Sequence, residues 1–152
     1  MLPALREIAA QLQAHRGDPV WFCREILGRD PHSGQEEWLT ESTRDENMLV
    51  TGNRWGKSEI AAAKRIYKCC YQIGWSPEIY ARMRGMHQPY HAINVAMTAD
   101  QSRLVWFKAH AMLQNPKAAW LVKSVKMTPF PRIEFINGAI LEARSTSNNG
   151  ER

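Results

Sequence analysis

The sequence predicts an α/β fold, in which a sheet with helical crossovers follows a helical segment and ends in a β-hairpin. Two apolar runs, near residues 47–51 and 91–97, are each followed by a helical pattern, and Asn137-Gly138 separates two further apolar runs. Alternating strand and helix patterns are typical of sheets with helical crossovers, and Asn-Gly is the strongest short hairpin signal. We therefore expect an α/β unit with an antiparallel element near its C-terminal end.

Length and composition indicate one ordinary domain, or part of one. The chain has 152 residues, 44% of them hydrophobic and 23% charged, which is enough apolar material for a core. It has neither a membrane-length apolar run nor a secretory pattern, so we expect a soluble protein in a reducing compartment, by default the cytosol. The three cysteines are then expected to be buried thiols, and the five histidines do not predict a zinc site.

The chain is moderately basic. Lysine and arginine number 20 against 15 aspartates and glutamates, which gives a formal charge of +5. Such a surface would attract a polyanion. Basic residues cluster at 64–68, 82–84 and 117–126, and each cluster has two interpretations: a surface that tracks phosphates, or the commoner solvated basic face.

The N-terminal third predicts three helices. Apolar residues at spacings of three and four predict the first over Pro3–Ala14. Asp18 offers an N-cap for the second helix, and Gly28 can end it in the left-handed conformation. Ser33 and Glu36 form a capping-box pattern that predicts the start of the third.

The most specific motif is a loop between two predicted elements. Asn47–Thr51 predicts a short buried strand, and residues from Lys57 to about Tyr71 predict a helix. Between them the segment Gly52–Ser58 reads G-N-R-W-G-K-S, which is similar to the phosphate-binding pattern G-x-x-x-x-G-K-[ST], although the first glycine is displaced by one position. The alternative is an ordinary strand-to-helix turn with a surface lysine.

A loop of this kind can bind a phosphate group. Consecutive backbone N–H groups wrap an anion, and the following helix points its positive N-terminal end at the same anion. Lys57 would then reach the β and γ phosphates, and the Ser58 hydroxyl would bind Mg²⁺.

The remainder of the chain continues the alternation of elements. Its pattern predicts a long connection, a strand, a helix capped near residues 98–100 and ended by Asn115-Pro116, a short helix and two hairpin strands. The connection is expected at 74–90, the strand at His91–Met97 and the short helix at Ala118–Val125. The two hairpin strands are expected at Arg132–Ile136 and Ala139–Ala143.

Gln35 and Trp38 ahead of the loop, the loop itself, and the later strand, helix and hairpin form a recurring combination. In these features the chain resembles the N-terminal ATPase region of bacteriophage terminase large subunits, the DNA-packaging motors of tailed phages. The resemblance spans essentially the whole chain, and the loop is its one strongly specific motif. It implies a P-loop NTPase-type, helicase-like sheet: residues 1–45 form a helical adenine-side segment, and residues 46–152 form an α/β core without a Walker B strand or a nuclease domain.

The resemblance also implies a site for ATP and Mg²⁺. Lys57 and Arg54 would be catalytic, Ser58 would bind the metal, and Gln35 would read the adenine edge, unless it is only a surface glutamine on a capped helix. The residues expected to bind the nucleotide are Gln35, Gly52, Asn53, Arg54, Trp55, Gly56, Lys57 and Ser58. We expect Trp38 and Trp55 mainly to pack.

Other implied roles are weaker. Asp100 and Gln101 occupy the place of a coupling loop, although N-capping is the simpler account of Asp100. Arg144 and Arg152 are candidates for an arginine finger that reaches a neighbouring subunit.

The acidic half of an ATPase site is not found in the sequence. No Asp-Glu pair follows the loop, and the nearest imitation, Glu142, is expected to face solvent from a hairpin strand. The family resemblance would place the acidic strand beyond a polar connection such as Ser145–Arg152. The chain therefore resembles the first part of a motor domain, either a fragment or a truncated product.

In full length, such a protein would couple ATP hydrolysis to viral DNA packaging in the host cytoplasm. Its implied partners are double-stranded DNA, the portal protein, the small terminase subunit and further copies of itself. Two alternatives remain: a non-catalytic basic fragment that binds DNA or a partner and carries a vestigial loop, or another P-loop motor such as a helicase.

Overall fold

A computed structural model describes residues 3–43, 47–71 and 90–146. The helices of this part are α1 (Pro3–Ala14), α2 (Pro19–Trp21, continued by a π-helical turn over Phe22–Ile26), α3 (Ser33–Glu41), α4 (Lys57–Tyr71), α5 (Ala99–Met112) and α6 (Pro116–Ala119). The strands are β1 (His91–Ala96), β2 (Val122–Lys126), β3 (Arg132–Phe135) and β4 (Ile140–Ser145). Most of the predicted connection at 74–90, with its basic cluster at 82–84, and Arg152 lie outside the described residues. No helix in the described ranges has the length and apolar character needed to cross a membrane.

The four strands form one mixed sheet in the order β1-β4-β3-β2. Strand β1 pairs in parallel with β4, while β3 pairs antiparallel with both β4 and β2. The predicted hairpin is confirmed, because β3 and β4 pair antiparallel on either side of Asn137-Gly138. Gly138 takes a positive φ of 85° in the turn between them. The sequence therefore predicted the α/β class, the strand at 91–96 and the C-terminal hairpin correctly.

Helices α4 and α5 lie side by side and pack against β1 and β4. Asn94 of β1 is buried and donates through Nδ2 to the Ser102 carbonyl of α5, at 2.5 Å. Ile66, Trp106 and Leu141, from α4, α5 and β4, are almost completely buried. This layer of two helices on one face of the sheet forms the main core of the described structure.

The hairpin also contacts the last described turn of helix α4. Asn137 donates through Nδ2 to the Cys69 carbonyl at 2.9 Å and to the Cys70 carbonyl at 3.0 Å. Asn137 also accepts from the Ala139 N–H at 3.0 Å, so one side chain shapes the hairpin turn and contacts the helix.

The N-terminal helices are attached to the C-terminal half of α4 through two tyrosines. The Tyr67 hydroxyl donates to the Arg16 carbonyl at 2.6 Å, and the Tyr71 hydroxyl donates to the Leu12 carbonyl at 2.8 Å. Phe22 makes edge contacts with both rings, at centroid distances of 5.5 and 5.8 Å. Helix α4 therefore joins the helical segment to the sheet.

All three cysteines are free thiols; Cys23 and Cys69 are buried, as predicted, whereas Cys70 is half-buried. Burial raises the pKa of Cys23 to about 11 and that of Cys69 to about 12. Thiols with raised pKa values are poor nucleophiles because the thiolate is the reactive form.

Two element predictions are wrong. Asn47–Thr51 forms no strand, and Met48 and Val50 are 87% and 83% exposed, because none of the four strands of the sheet lies beside this segment. The short helix predicted over Ala118–Val125 is instead α6 followed by strand β2. Pairing with β3 gives the β-branched residues of this segment a sheet environment, which overrides the local helical pattern.

One helix cap and one residue role differ from prediction. His32, not Ser33, is the N-cap of α3, and Gln35, at the third helical position, accepts from the His32 N–H at 3.2 Å. The cap of α5 is Thr98, within the predicted range 98–100, and it accepts from the Gln101 N–H at 3.3 Å, so the N-cap role expected for Asp100 is wrong. The predicted cap of α2 is confirmed, since Asp18 accepts from the Trp21 N–H.

A buried lysine joins α3 to α4. Lys64 is 9% exposed, and its Nζ donates to both the carbonyl, at 2.6 Å, and the hydroxyl of Ser42. The same ammonium lies 4.5 Å from the centroid of the Trp38 ring, within the range of a cation–π contact. Burial, with a smaller contribution from Lys68, lowers the pKa of Lys64 to about 8.

This lysine should give the protein a characteristic pH dependence. The ordinary pKa of Lys64 is 10.5, so between about pH 8 and 10.5 the unfolded chain binds more protons at this site than the folded protein does. The free energy of unfolding of the wild type, relative to Lys64→Met, should therefore rise across this range. Urea denaturation of both proteins at several pH values measures the difference, and a flat or falling difference would contradict the burial of a charged Lys64.

Candidate functional site

The loop at 52–58 lies between α3 and the N-terminus of α4. The Gly56 carbonyl accepts from the N–H groups of Glu59 and Ile60, both at 3.0 Å, and so begins helix α4. Arg54 and Gly56 have positive φ angles of 62° and 89°. Backbone strain of this kind at a non-glycine residue is concentrated at functional sites, which makes Arg54 notable.

Helix α3 holds the loop through a single carbonyl group. Gln35 donates through Nε2 to the Trp55 carbonyl oxygen at 2.9 Å, and His32 Nε2 lies 3.3 Å from the same oxygen. The rings of His32 and Trp55 also meet edge to face at a centroid distance of 4.9 Å. The loop is thus joined to the N-terminal turn of α3.

Lys57 lies folded across the loop. Its Nζ donates to the Thr51 carbonyl at 3.0 Å and to the Gly52 carbonyl at 3.1 Å. The side chain is exposed, so these bonds can be exchanged for others without disturbing the core. The ammonium group is therefore held at the mouth of the loop by two neutral carbonyl groups.

Several groups around the loop are available to a ligand. Within the described ranges, no hydrogen bond is assigned to the N–H groups of Gly56, Lys57 or Ser58. These three groups lie at the positive end of a 15-residue helix. The side chains of Asn53 and Arg54 are exposed beside them.

A cavity of about 430 Å³ lies beside the same turn of α3. Gly34, Trp38 and Leu49 line its less polar side, and Glu37 and Glu41 give it an acidic edge. Gly34 also contacts the loop, because a Cβ built on it would lie 3.4 Å from the Trp55 ring. The cavity is large enough for a purine-sized group next to the loop.

The structure thus brings together Gln35 and the loop from Gly52 to Ser58. It places Trp38 one turn further along α3, against Lys64. Asp100 is exposed at the start of α5, with no recorded contact to the loop in the described structure. His32 was not predicted from the sequence as part of the site, although its position three residues before Gln35 is the signal of a reciprocal helix cap.

The expectation that Glu142 faces solvent is wrong. Glu142 is 3% exposed; its Oε2 lies 3.0 Å from His91 Nε2, and its Oε1 pairs with the Arg144 guanidinium. Arg144 in turn covers the Phe130 ring at 3.5 Å. Parallel pairing of β1 with β4 places His91, Glu142 and Arg144 on one face of the sheet, opposite to Asn94 and the helix α5 that it contacts.

Two glycines of the loop should differ in their tolerance of alanine. At Gly56, alanine would require a φ of 89° and would place its Cβ 2.5 Å from Gln35 Nε2, whereas a Cβ at Gly52 would meet nothing within 4 Å. We expect Gly56→Ala to destabilise the protein by about 1–3 kcal/mol and Gly52→Ala by about 0.5 kcal/mol or less. Thermal unfolding of both variants tests this, and equal midpoints would contradict the packing of Gln35 on the loop.

Comparison with known proteins adds no family to this description. No protein-family model, no curated protein and no solved structure matches the chain. The α/β class and the mixed sheet are thus established by the structure alone. The interpretation of the site depends on the residues of the loop and on what surrounds them.

Proposed function

We propose that the loop at Gly52–Ser58 binds the phosphates of Mg-ATP, and that the chain is the N-terminal ATP-binding portion of a phage terminase large subunit. In full length such a protein couples ATP hydrolysis to the packaging of double-stranded DNA, with the portal protein and the small terminase subunit as partners. The observation that carries the proposal is Lys57 held across the loop, together with the N–H groups of Gly56, Lys57 and Ser58, to which no hydrogen bond is assigned in the described part of the chain.

The residues of the loop would make different contacts with the phosphates. Lys57 would exchange the carbonyls of Thr51 and Gly52 for phosphate oxygens, which are stronger partners for an ammonium group because they are charged. The N–H groups of Gly56, Lys57 and Ser58 would donate to the same phosphates, and the dipole of α4 would favour their negative charge.

Magnesium would depend on the nucleotide for most of its ligands. The Ser58 hydroxyl is the loop group suited to it, and the described residues contain no cluster of three histidine, cysteine, aspartate or glutamate side chains that could hold a metal. Mg²⁺ commonly keeps waters and binds through phosphate oxygens and few protein groups, so one hydroxyl fits this mode. Arg54, which is exposed in the loop, would stabilise charge on the phosphoryl group.

The proposed fold is a P-loop NTPase-type sheet. The helix that follows the loop and the parallel pair β1 and β4 support this assignment. The strand that such a fold places directly before the loop is not formed over Asn47–Thr51. The proposal therefore depends on the loop and on α4 more than on the sheet.

Binding is expected without appreciable hydrolysis by this chain. An ATPase of this type needs a carboxylate to orient the attacking water, and no Asp-Glu pair follows the loop. Glu142 does not replace it, because its two oxygens are held by His91 and Arg144 on the sheet face opposite to α5.

Titration of the protein with labelled Mg-ATP tests the site. We expect saturable binding that Lys57→Ala weakens by about tenfold or more, because the ammonium makes charge-assisted contacts with the phosphates. Lys68→Ala, at the other end of the same helix, is the matched control and should bind as the wild type does. Binding that is absent, or that Lys57→Ala leaves unchanged, would contradict the proposed site, and turnover abolished by Lys57→Ala would contradict the inactive state.

A second candidate function, contact with double-stranded DNA, is favoured by a pair of like charges. Lys126 of β2 and Arg132 of β3 lie directly opposite each other in the antiparallel register. Like charges in this arrangement repel, and a phosphate group beside them would offset the part of the repulsion that Glu142, opposite Arg132 on its other side, does not. Lys123 and Arg144 are instead paired with Glu134 and Glu142, respectively.

DNA binding by this pair should depend on salt in a defined way. Removing both charges in a Lys126→Ala, Arg132→Ala variant should weaken binding and reduce the slope of log K against log salt by about 2. Lys117→Ala, which removes a lysine paired with Glu25, is the control and should leave the slope nearly unchanged. Identical slopes for the wild type and the double variant would contradict a phosphate contact at this pair.

A further inference from the structure

We infer that Gln35 is a positioning residue that shapes the phosphate loop and does not read the adenine base, so that its contribution to binding is the same for every nucleotide. This inference rests on the proposed nucleotide site and changes the role that the family resemblance implies for Gln35.

The amide of Gln35 already holds partners on two elements. Its oxygen accepts from the His32 N–H at 3.2 Å, and its nitrogen donates to the Trp55 carbonyl at 2.9 Å. The oxygen thereby satisfies a backbone N–H at the start of α3, a group that the helix cannot pair internally. An adenine edge would have to share the acceptor and the donor of this amide with these two partners, which already fix the orientation of the amide.

Packing also places the amide on the loop itself. A Cβ built on Gly56 would lie 2.5 Å from Gln35 Nε2, so the side chain is in close contact with the loop backbone. There is no space for a base between this nitrogen and Gly56. The cavity beside Trp38 is a separate space on the same helix, and Gln35 does not line it.

The bond to Trp55 has a direct effect on phosphate binding. The Trp55–Gly56 peptide is trans, and in a trans peptide the C=O and N–H groups point in opposite directions. Holding the Trp55 carbonyl against α3 therefore directs the Gly56 N–H away from α3, free to meet an anion. His32 Nε2, 3.3 Å from the same oxygen, occupies its second acceptor position.

The substitution Gln35→Glu separates the two roles. Glutamate keeps an oxygen for the His32 N–H, which preserves the helix cap, but it cannot donate to the Trp55 carbonyl. Titrations with Mg-ATP, Mg-GTP and magnesium tripolyphosphate should all show a dissociation constant raised by about five- to tenfold, by a common factor, because a preorganised N–H is lost from the loop and the new carboxylate repels the phosphates of all three ligands alike. Thr40→Ala, an exposed change on the same helix at a residue that does not line the cavity, should leave all three constants unaltered. A loss confined to Mg-ATP, or no loss for any ligand, would overturn the inference.

A measurement without nucleotide keeps this test separate from the test of the proposed site. In the free protein, the NMR order parameter of the Gly56 N–H bond should fall from about 0.85 in the wild type and in Thr40→Ala to about 0.6 in Gln35→Glu, because the peptide is no longer held. If the wild type binds none of the three ligands, the proposed nucleotide site fails, and the order parameters alone decide the positioning role. Equal order parameters in the three proteins would overturn it.

Discussion

Helix α4 is the constraint on which the rest of the described structure depends, because it is packed on two sides and held at both ends of its described length. Ala62, Ile66 and Cys69 are completely buried between the N-terminal helices and the layer formed by α5 and the sheet. In the last described turn of the helix, Asn137 donates to the carbonyls of Cys69 and Cys70. A rigid helix of this kind fixes the place of the loop at its opposite end.

The contacts of α3 and α4 with the loop determine its shape. Its backbone continues directly into α4 through the Gly56 carbonyl, and its outer side is held by Gln35 and His32 of α3. Lys64 and its contacts with Ser42 and Trp38 join α3 to α4 in turn. Movement of α3 relative to α4 would therefore displace the Trp55 carbonyl and, with it, the loop proposed to bind phosphate.

The sequence predicted those parts of the fold that local chemistry decides. Asp18, Gly28 and the Asn137-Gly138 turn each have a conformational preference strong enough to fix their neighbourhood, and the structure agrees with all three. It did not predict what long-range pairing decides. An apolar run such as Asn47–Thr51 becomes a strand only beside another strand. The surroundings of Glu142, which contacts His91 of β1 as well as Arg144, likewise depend on the pairing of β1 with β4. The loop pattern could be identified in the sequence, whereas the hydrogen bond from Gln35 to the Trp55 carbonyl could be seen only in the structure.

The central claim, that this loop is a phosphate site, is tested most directly by following backbone amide resonances while Mg-ATP is added. The account predicts saturable shifts at Gly56, Lys57 and Ser58, whose N–H groups have no assigned acceptor in the described structure. Hydrogen bonding to a phosphate should move these resonances strongly, with smaller changes along the rest of α4. Unchanged resonances at these three residues, or shifts confined to the basic pair on β2 and β3, would contradict it.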